Sequence, residues 1–251
     1  MKYFRFFLIA ASTSLIGCRE TTVLFIGNSI TYQNDMPEML NELFRQNGLR
    51  MNVEHCTKPG FSLRNHYDTD EVRKRLYESR WDFVVLQEGA VRVLIPEARE
   101  HAFVRYSQKF DSLIGPGRGS LLLFENYPIA TYPHQYCYDG YSVSPDFPEG
   151  NYCSPMLTDS KQELSIIKEA FRDLSSALDC QVAPVGTYFE KCKAAYPELV
   201  LIPSNDTHPS RLGSFLIACV FFEAISGISP RDAITSVDLP ADDVEKIKSL
   251  F

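Results

Sequence analysis

No stretch of this chain approaches the ~20 consecutive apolar residues that cross a hydrocarbon core, so the sequence offers no transmembrane helix. It also lacks any grouping of Lys and Arg, and its formal net charge is −7. Neutralising phosphates requires clustered cations, which excludes a nucleic-acid partner. His55, His66, His101 and His134 share no metal-ligand spacing, so no metal site is expected; His66, with Asp68 and Asp70 beside it, reads as a solvated helix start. There is no internal repeat and no low-complexity tract. What remains is a chain with 45% hydrophobic residues, enough for one full core.

The first residues read as an export signal. Lys2 and Arg5 give a basic start, an apolar run follows from Phe6 to Leu15, and the run ends in Leu15-Ile16-Gly17-Cys18. That ending resembles the lipobox of bacterial lipoproteins, in which the cysteine is lipidated before cleavage. The expectation is a signal peptide over 1–17, a lipid anchor on Cys18, and one exported, membrane-attached domain over 18–251. Six cysteines are then left in an oxidising compartment, an even number that permits disulfides. Cys137 and Cys153 bracket a loop with little core of its own and are the expected pair. Cys219, inside the apolar run Phe215–Phe222, reads as a buried small hydrophobe.

From Thr22 onward, short apolar runs alternate with amphipathic stretches. The runs are Val23–Ile26, Met51–Cys56, Asp82–Gln87, Ser120–Phe124 and Gln181–Val185, and continuous apolarity, as in Phe83-Val84-Val85-Leu86, is what a strand covered on both faces requires. Helices are expected from Asp35, capped there with Glu38 reaching back, and over Val72–Ser79, Glu97–Ile114, Ser160–Leu178 and Arg211–Ser226. The order βαβαβαβαβα predicts a three-layer α/β/α sandwich around a mainly parallel, flavodoxin-like five-stranded sheet. Tyr127–Pro155, with six tyrosines and no periodic face, is expected to be a long loop, of the kind that is functional or disordered.

Ligands of open parallel sheets bind beyond the strands' carboxyl ends. There stand Gly27-Asn28-Ser29-Ile30-Thr31, Lys58-Pro59-Gly60-Phe61-Ser62 and Gln87-Glu88-Gly89, and near the C-terminus Asn205-Asp206-Thr207-His208-Pro209 precedes an apolar helix. In that order these blocks resemble the SGNH (GDSL-like) hydrolase superfamily over essentially the whole chain after residue 18. The resemblance implies Ser29 as nucleophile, His208 as general base, and an oxyanion hole from the N–H groups of Ser29 and Gly60 plus the Gln87 amide, with no cofactor. The family's aspartate stands three residues before the histidine. Here Asn205 holds that position, so the residue orienting His208 is Asp206, Asn205 or a backbone carbonyl.

The activity expected is hydrolysis of small acyl esters, and the tyrosine-rich loop together with export extends the expectation to acetyl groups on carbohydrates or glycans. An acyltransferase with the same site, or a non-catalytic glycan-binding lipoprotein, would share these residues.

Overall fold

The computed structural model describes residues 19–129 and 131–251. Cys18 and the segment read as a signal peptide lie outside the described residues. Strands β1 (Thr21–Gly27), β2 (Met51–Thr57), β3 (Phe83–Leu86), β4 (Ser120–Phe124) and β7 (Gln181–Ala183) form one sheet in the order β2-β1-β3-β4-β7, and every pairing is parallel. The expected three-layer sandwich is the observed one.

The continuous apolarity of the strands follows from the pleat, which sends successive side chains to opposite faces. Val23, Phe25, Val85, Leu122 and Phe124 meet the helices Met36–Gln46 and Arg211–Ser226 on one face. Leu24, Ile26, Val84, Leu86, Leu121 and Leu123 meet Asp70–Glu78, Arg105–Ile114 and Ser160–Leu178 on the other. Phe221 packs edge-on against both Phe25 (4.8 Å) and Phe124 (5.2 Å), which locks Arg211–Ser226 across the sheet. Burying each such ring is worth about 1.5–3 kcal/mol. Cys219 lies buried in that helix.

Local structure differs from expectation in four places. Asp35 precedes helix Met36–Gln46 but in a left-handed conformation (φ 56°), without a side-chain cap, and Glu38 instead accepts from Asn41. Helix Val185–Ala195 begins where a strand was expected to end. The expected helix from Glu97 is π-helical over Arg99–Val104 before Arg105–Ile114. Within the tyrosine-rich loop, β5 (Cys137–Ser142) and β6 (Glu149–Cys153) form an antiparallel hairpin, and the expected Cys137–Cys153 disulfide closes its base. No described helix is long and apolar enough to cross a membrane.

Candidate active site

Strand β1 ends at Gly27, and the chain turns through Asn28 into the one-turn helix Ser29–Tyr32. Asn28 fixes that turn with both ends of its amide: Oδ1 accepts from Ile30 N (3.1 Å) and Nδ2 donates to Phe61 O (3.2 Å). The second bond ties the Ser29 turn to the Gly60 loop. Gly60 holds φ +67°, a conformation that favours glycine. Ser29 N–H and Gly60 N–H have no hydrogen-bond partner among the described residues, and both residues line one cleft of about 280 Å³. Unpaired N–H groups beside a hydroxyl are what an oxyanion requires.

On the opposite wall, His208 sits just before helix Arg211–Ser226. Its Nε2 lies 2.8 Å from Ser29 Oγ, and its Nδ1 lies 2.7 Å from Asp206 Oδ1. The same carboxylate oxygen accepts from the backbone N–H of Thr207 (2.7 Å) and of His208 (3.0 Å). These bonds, that from His208 N foremost, hold the Asp206 carboxyl below its ordinary pKa, so it stays ionised. Asn205 takes the left-handed conformation (φ 65°) that swings Asp206 toward the ring. Among the alternatives for orienting His208, Asp206 is the group the structure brings to it.

Two residues that were not expected in the site fix this loop. Asn34, at φ 54°, donates through Nδ2 to Pro209 O and to Ser214 Oγ, each at 2.9 Å, clamping the turn after Ser29 to the turn after His208. Tyr127 OH donates to Thr207 O (3.0 Å) while its ring stacks on Phe189.

Gln87 is found elsewhere than the oxyanion hole. It is buried beneath the Ser29 turn, where Oε1 accepts from Asn28 N (2.8 Å) and Nε2 donates to Glu88 O (2.7 Å). Gln87 is therefore a positioning residue. Glu88 extends the brace: fully buried, it accepts from Leu63 N (3.0 Å) and Gly89 N (2.8 Å), and burial raises its pKa. Asn126 lines the cleft and donates to Glu88 O (2.8 Å), yet its Oδ1 is buried without a partner. As a polar residue close after the apolar run of β4, Asn126 was open to the same reasoning that singled out Gln87.

His66, expected on a solvated helix start, is instead buried at 2% exposure, with Nε2 2.7 Å from Gly27 O. The carbonyl accepts, so Nε2 carries the proton. Burial, and secondarily nearby Lys58, lower the His66 pKa. Unfolding frees a histidine that binds protons near its ordinary pKa of about 6.5, so the neutral-His66 contribution is complete above that value and is lost as pH falls below it. Urea melts at pH 7 and pH 5 are expected to show a larger acid loss of stability for the wild type than for His66→Gln, which can still donate to Gly27 O. Equal losses would remove His66 from the pH response.

Among the described residues no group of three or more His, Cys, Asp or Glu side chains is arranged to hold a metal. Neither family models nor curated proteins give a match to the sequence. Solved structures do. A DUF4886 family protein from Bacteroides uniformis is similar with a TM-score of 0.72 at 15% identity, over 92% of this chain and 93% of that one. A protein assigned as an SGNH hydrolase from Slackia heliotrinireducens has a TM-score of 0.61 at 22% identity, over 82% and 98%. An acetyl xylan esterase has a TM-score of 0.55 at 16% identity, over 81% and 99%. The chain thus has the α/β fold, with its five-stranded all-parallel sheet, that SGNH hydrolases share.

Proposed function

We propose that this chain is a serine esterase that removes small acyl groups, acetyl foremost, from carbohydrates or glycans. One observation carries the reading: an unbroken line from Asp206 through His208 to Ser29, with contacts of 2.7 and 2.8 Å. In the proposed reaction Ser29 Oγ attacks the ester carbonyl as His208 Nε2 takes its proton. The oxyanion is held by Ser29 N–H and Gly60 N–H. His208 returns the proton to the leaving alcohol, and water, deprotonated by the same nitrogen, then releases the acyl group and restores Ser29. Asp206 holds the ring in the tautomer this requires. Ile30, Ala90, Val91 and Ile129 supply the cleft's apolar lining, and its volume of about 280 Å³ suits a short acyl chain. The similarity to an acetyl xylan esterase supports the carbohydrate ester.

The test is a fluorophosphonate probe together with a chromogenic acetyl ester, run on the soluble domain and on Ser29→Ala. Labelling and acetate release that depend on Ser29 are expected. Their absence would leave a glycan-binding protein, whereas hydrolysis suppressed by added alcohols would favour acyl transfer.

The proposal extends to location: export, with lipidated Cys18 as the anchor. Arg19 reaches Asp82, at the amino end of β3, with Nη2 bonds of 3.1 and 3.2 Å, so the tether leaves the amino edge of the sheet. Ser29 follows the other end of the seven-residue β1, about 23 Å away at strand rise. The cleft then faces away from the bilayer, toward soluble or wall-bound glycans. A Cys18→Ser chain is expected to leave the membrane fraction, and its retention there would refute the anchor.

A further inference from the structure

Beside the catalytic cleft lies a second compartment of about 410 Å³, separated from it by Arg92 and Tyr138, which line both. Its polar lining is Ser62, Arg64, Asn65, Arg92, Tyr138 and Ser142, with no carboxylate among the lining residues. Tyr138 is delivered there by the β5–β6 hairpin, and the short helix Leu63–Tyr67 carries Arg64 and Asn65, with Ser62 as its N-cap.

The two guanidinium groups are unlike their neighbours. Arg99 donates to Val93 O (2.7 Å) and Arg105 to Asp146 (2.6 Å), whereas neither Arg64 nor Arg92 makes a side-chain hydrogen bond among the described residues. Each has one carboxylate oxygen at 3.6 Å, Asp68 for Arg64 and Glu88 for Arg92, which is beyond hydrogen-bond length. Arg64 Nε is buried with no hydrogen-bond partner. Arginine's planar fork matches a carboxylate or sulfate with paired bonds, and a buried donor left unpaired is destabilising until something accepts from it. Asn65 Nδ2 and Tyr138 OH add two further donors without partners.

We propose that this compartment binds an anionic substituent, a carboxylate or a sulfate, on the glycan whose ester Ser29 cleaves, so that the substrate is an acidic saccharide. The inference rests on the esterase reading for where the ester lies. It does not rest on turnover for its test. The chain's net charge of −7 repels such a glycan at long range, so selection would come from local pairing within this compartment.

Calorimetric titration of the Ser29→Ala protein with three tetrasaccharides, a neutral hexose, a hexuronate and a sulfated hexose, separates the cases. At least one acidic oligosaccharide is expected to bind about tenfold or more tightly than the neutral one, as charge-assisted bonds would give. Which one does so identifies the anion. Adding Arg64→Gln is expected to erase the preference, and Arg64→Lys, which keeps the charge but not the fork, to retain part of it. Arg50→Gln makes the same change of charge at the start of β2, away from the compartment, and should leave the preference intact. Equal binding of all three sugars, a preference that survives Arg64→Gln, or an equal loss in Arg50→Gln would each overturn the proposal. Acidic binding without Ser29-dependent hydrolysis in the parent protein would defeat the esterase reading and leave the anion compartment standing.

Discussion

Alanine in place of Ser29 or His208 is expected to lower kcat on an acetyl ester by about 10⁶-fold, and asparagine in place of Asp206 by about 10⁴-fold. The order follows from the role proposed for each atom. Without Ser29 Oγ there is no nucleophile, and without His208 nothing removes its proton at 2.8 Å. Asp206→Asn leaves a side chain in place, but its amide can present N–H where Oδ1 now faces His208 Nδ1 at 2.7 Å, and so favours the wrong tautomer. The losses should not add: Ser29→Ala combined with Asp206→Asn is expected to be no worse than Ser29→Ala alone, because both act on one step. Asn205→Gly suits the left-handed backbone there and is expected to keep turnover near wild type. Steady-state kinetics of the five variants at one pH decide the matter. A loss of only tens of fold in Asp206→Asn would replace the triad by a Ser29–His208 dyad.

The same chemistry shows why some of this site was legible in sequence and some was not. Ser29 follows a strongly apolar strand and Asp206 and His208 precede a strongly apolar helix, so the topology carries them to one rim, whereas Gly60 follows the more polar β2 and was marked by its turn residues. Helices Ser160–Leu178 and Arg211–Ser226 end where their caps stand, with Asp159 and Ser210 accepting at the start and Gly227 left-handed at the end of the second. The hairpin was hidden because Cys137–Ser142 and Glu149–Cys153 bury little and rely on a disulfide rather than on alternating apolarity. Helix Val185–Ala195 was hidden because Val182, Ala183 and Val185 read as one apolar run across Pro184. Gln87 sits at the expected rim, but the direction of its amide depends on a bond to Asn28 N–H that no local pattern announces. Asn34 joins residues about 180 positions apart, which only the folded chain reveals.

Gly27→Ala is expected to depress stability and turnover together, since the last residue of β1 is packed against the brace under the Ser29 turn. A Cβ there would stand 2.6 Å from Gln87 Oε1, 2.7 Å from Thr31 Oγ1 and 2.9 Å from Gln87 Cβ. None of these atoms is the free end of a mobile side chain. Gln87 Oε1 holds Asn28 N–H at 2.8 Å, and Gln87 and Thr31 are both fully buried. Overpacking of this kind costs about 1–3 kcal/mol. The displaced amide also releases the turn that aims Ser29 Oγ and Ser29 N–H, and a misplacement of about 1 Å in a reacting group costs on the order of 10²-fold in rate. The expected signature is a lower Tm with kcat reduced far more than KM, because the acyl pocket itself is untouched. A double-mutant cycle identifies the cause. Gln87→Ala alone strands the buried Asn28 N–H and is expected to cost about 1–3 kcal/mol in its own right. If the clash is the mechanism, Gly27→Ala combined with Gln87→Ala should be less destabilised than the two losses added, since the second change removes the atoms the new methyl would strike. Additive losses would mean that the methyl acts through Thr31 or through the β1 backbone. Wild-type Tm and kcat in Gly27→Ala would show that the turn carrying Ser29 yields freely, and that Gln87 has no part in positioning it.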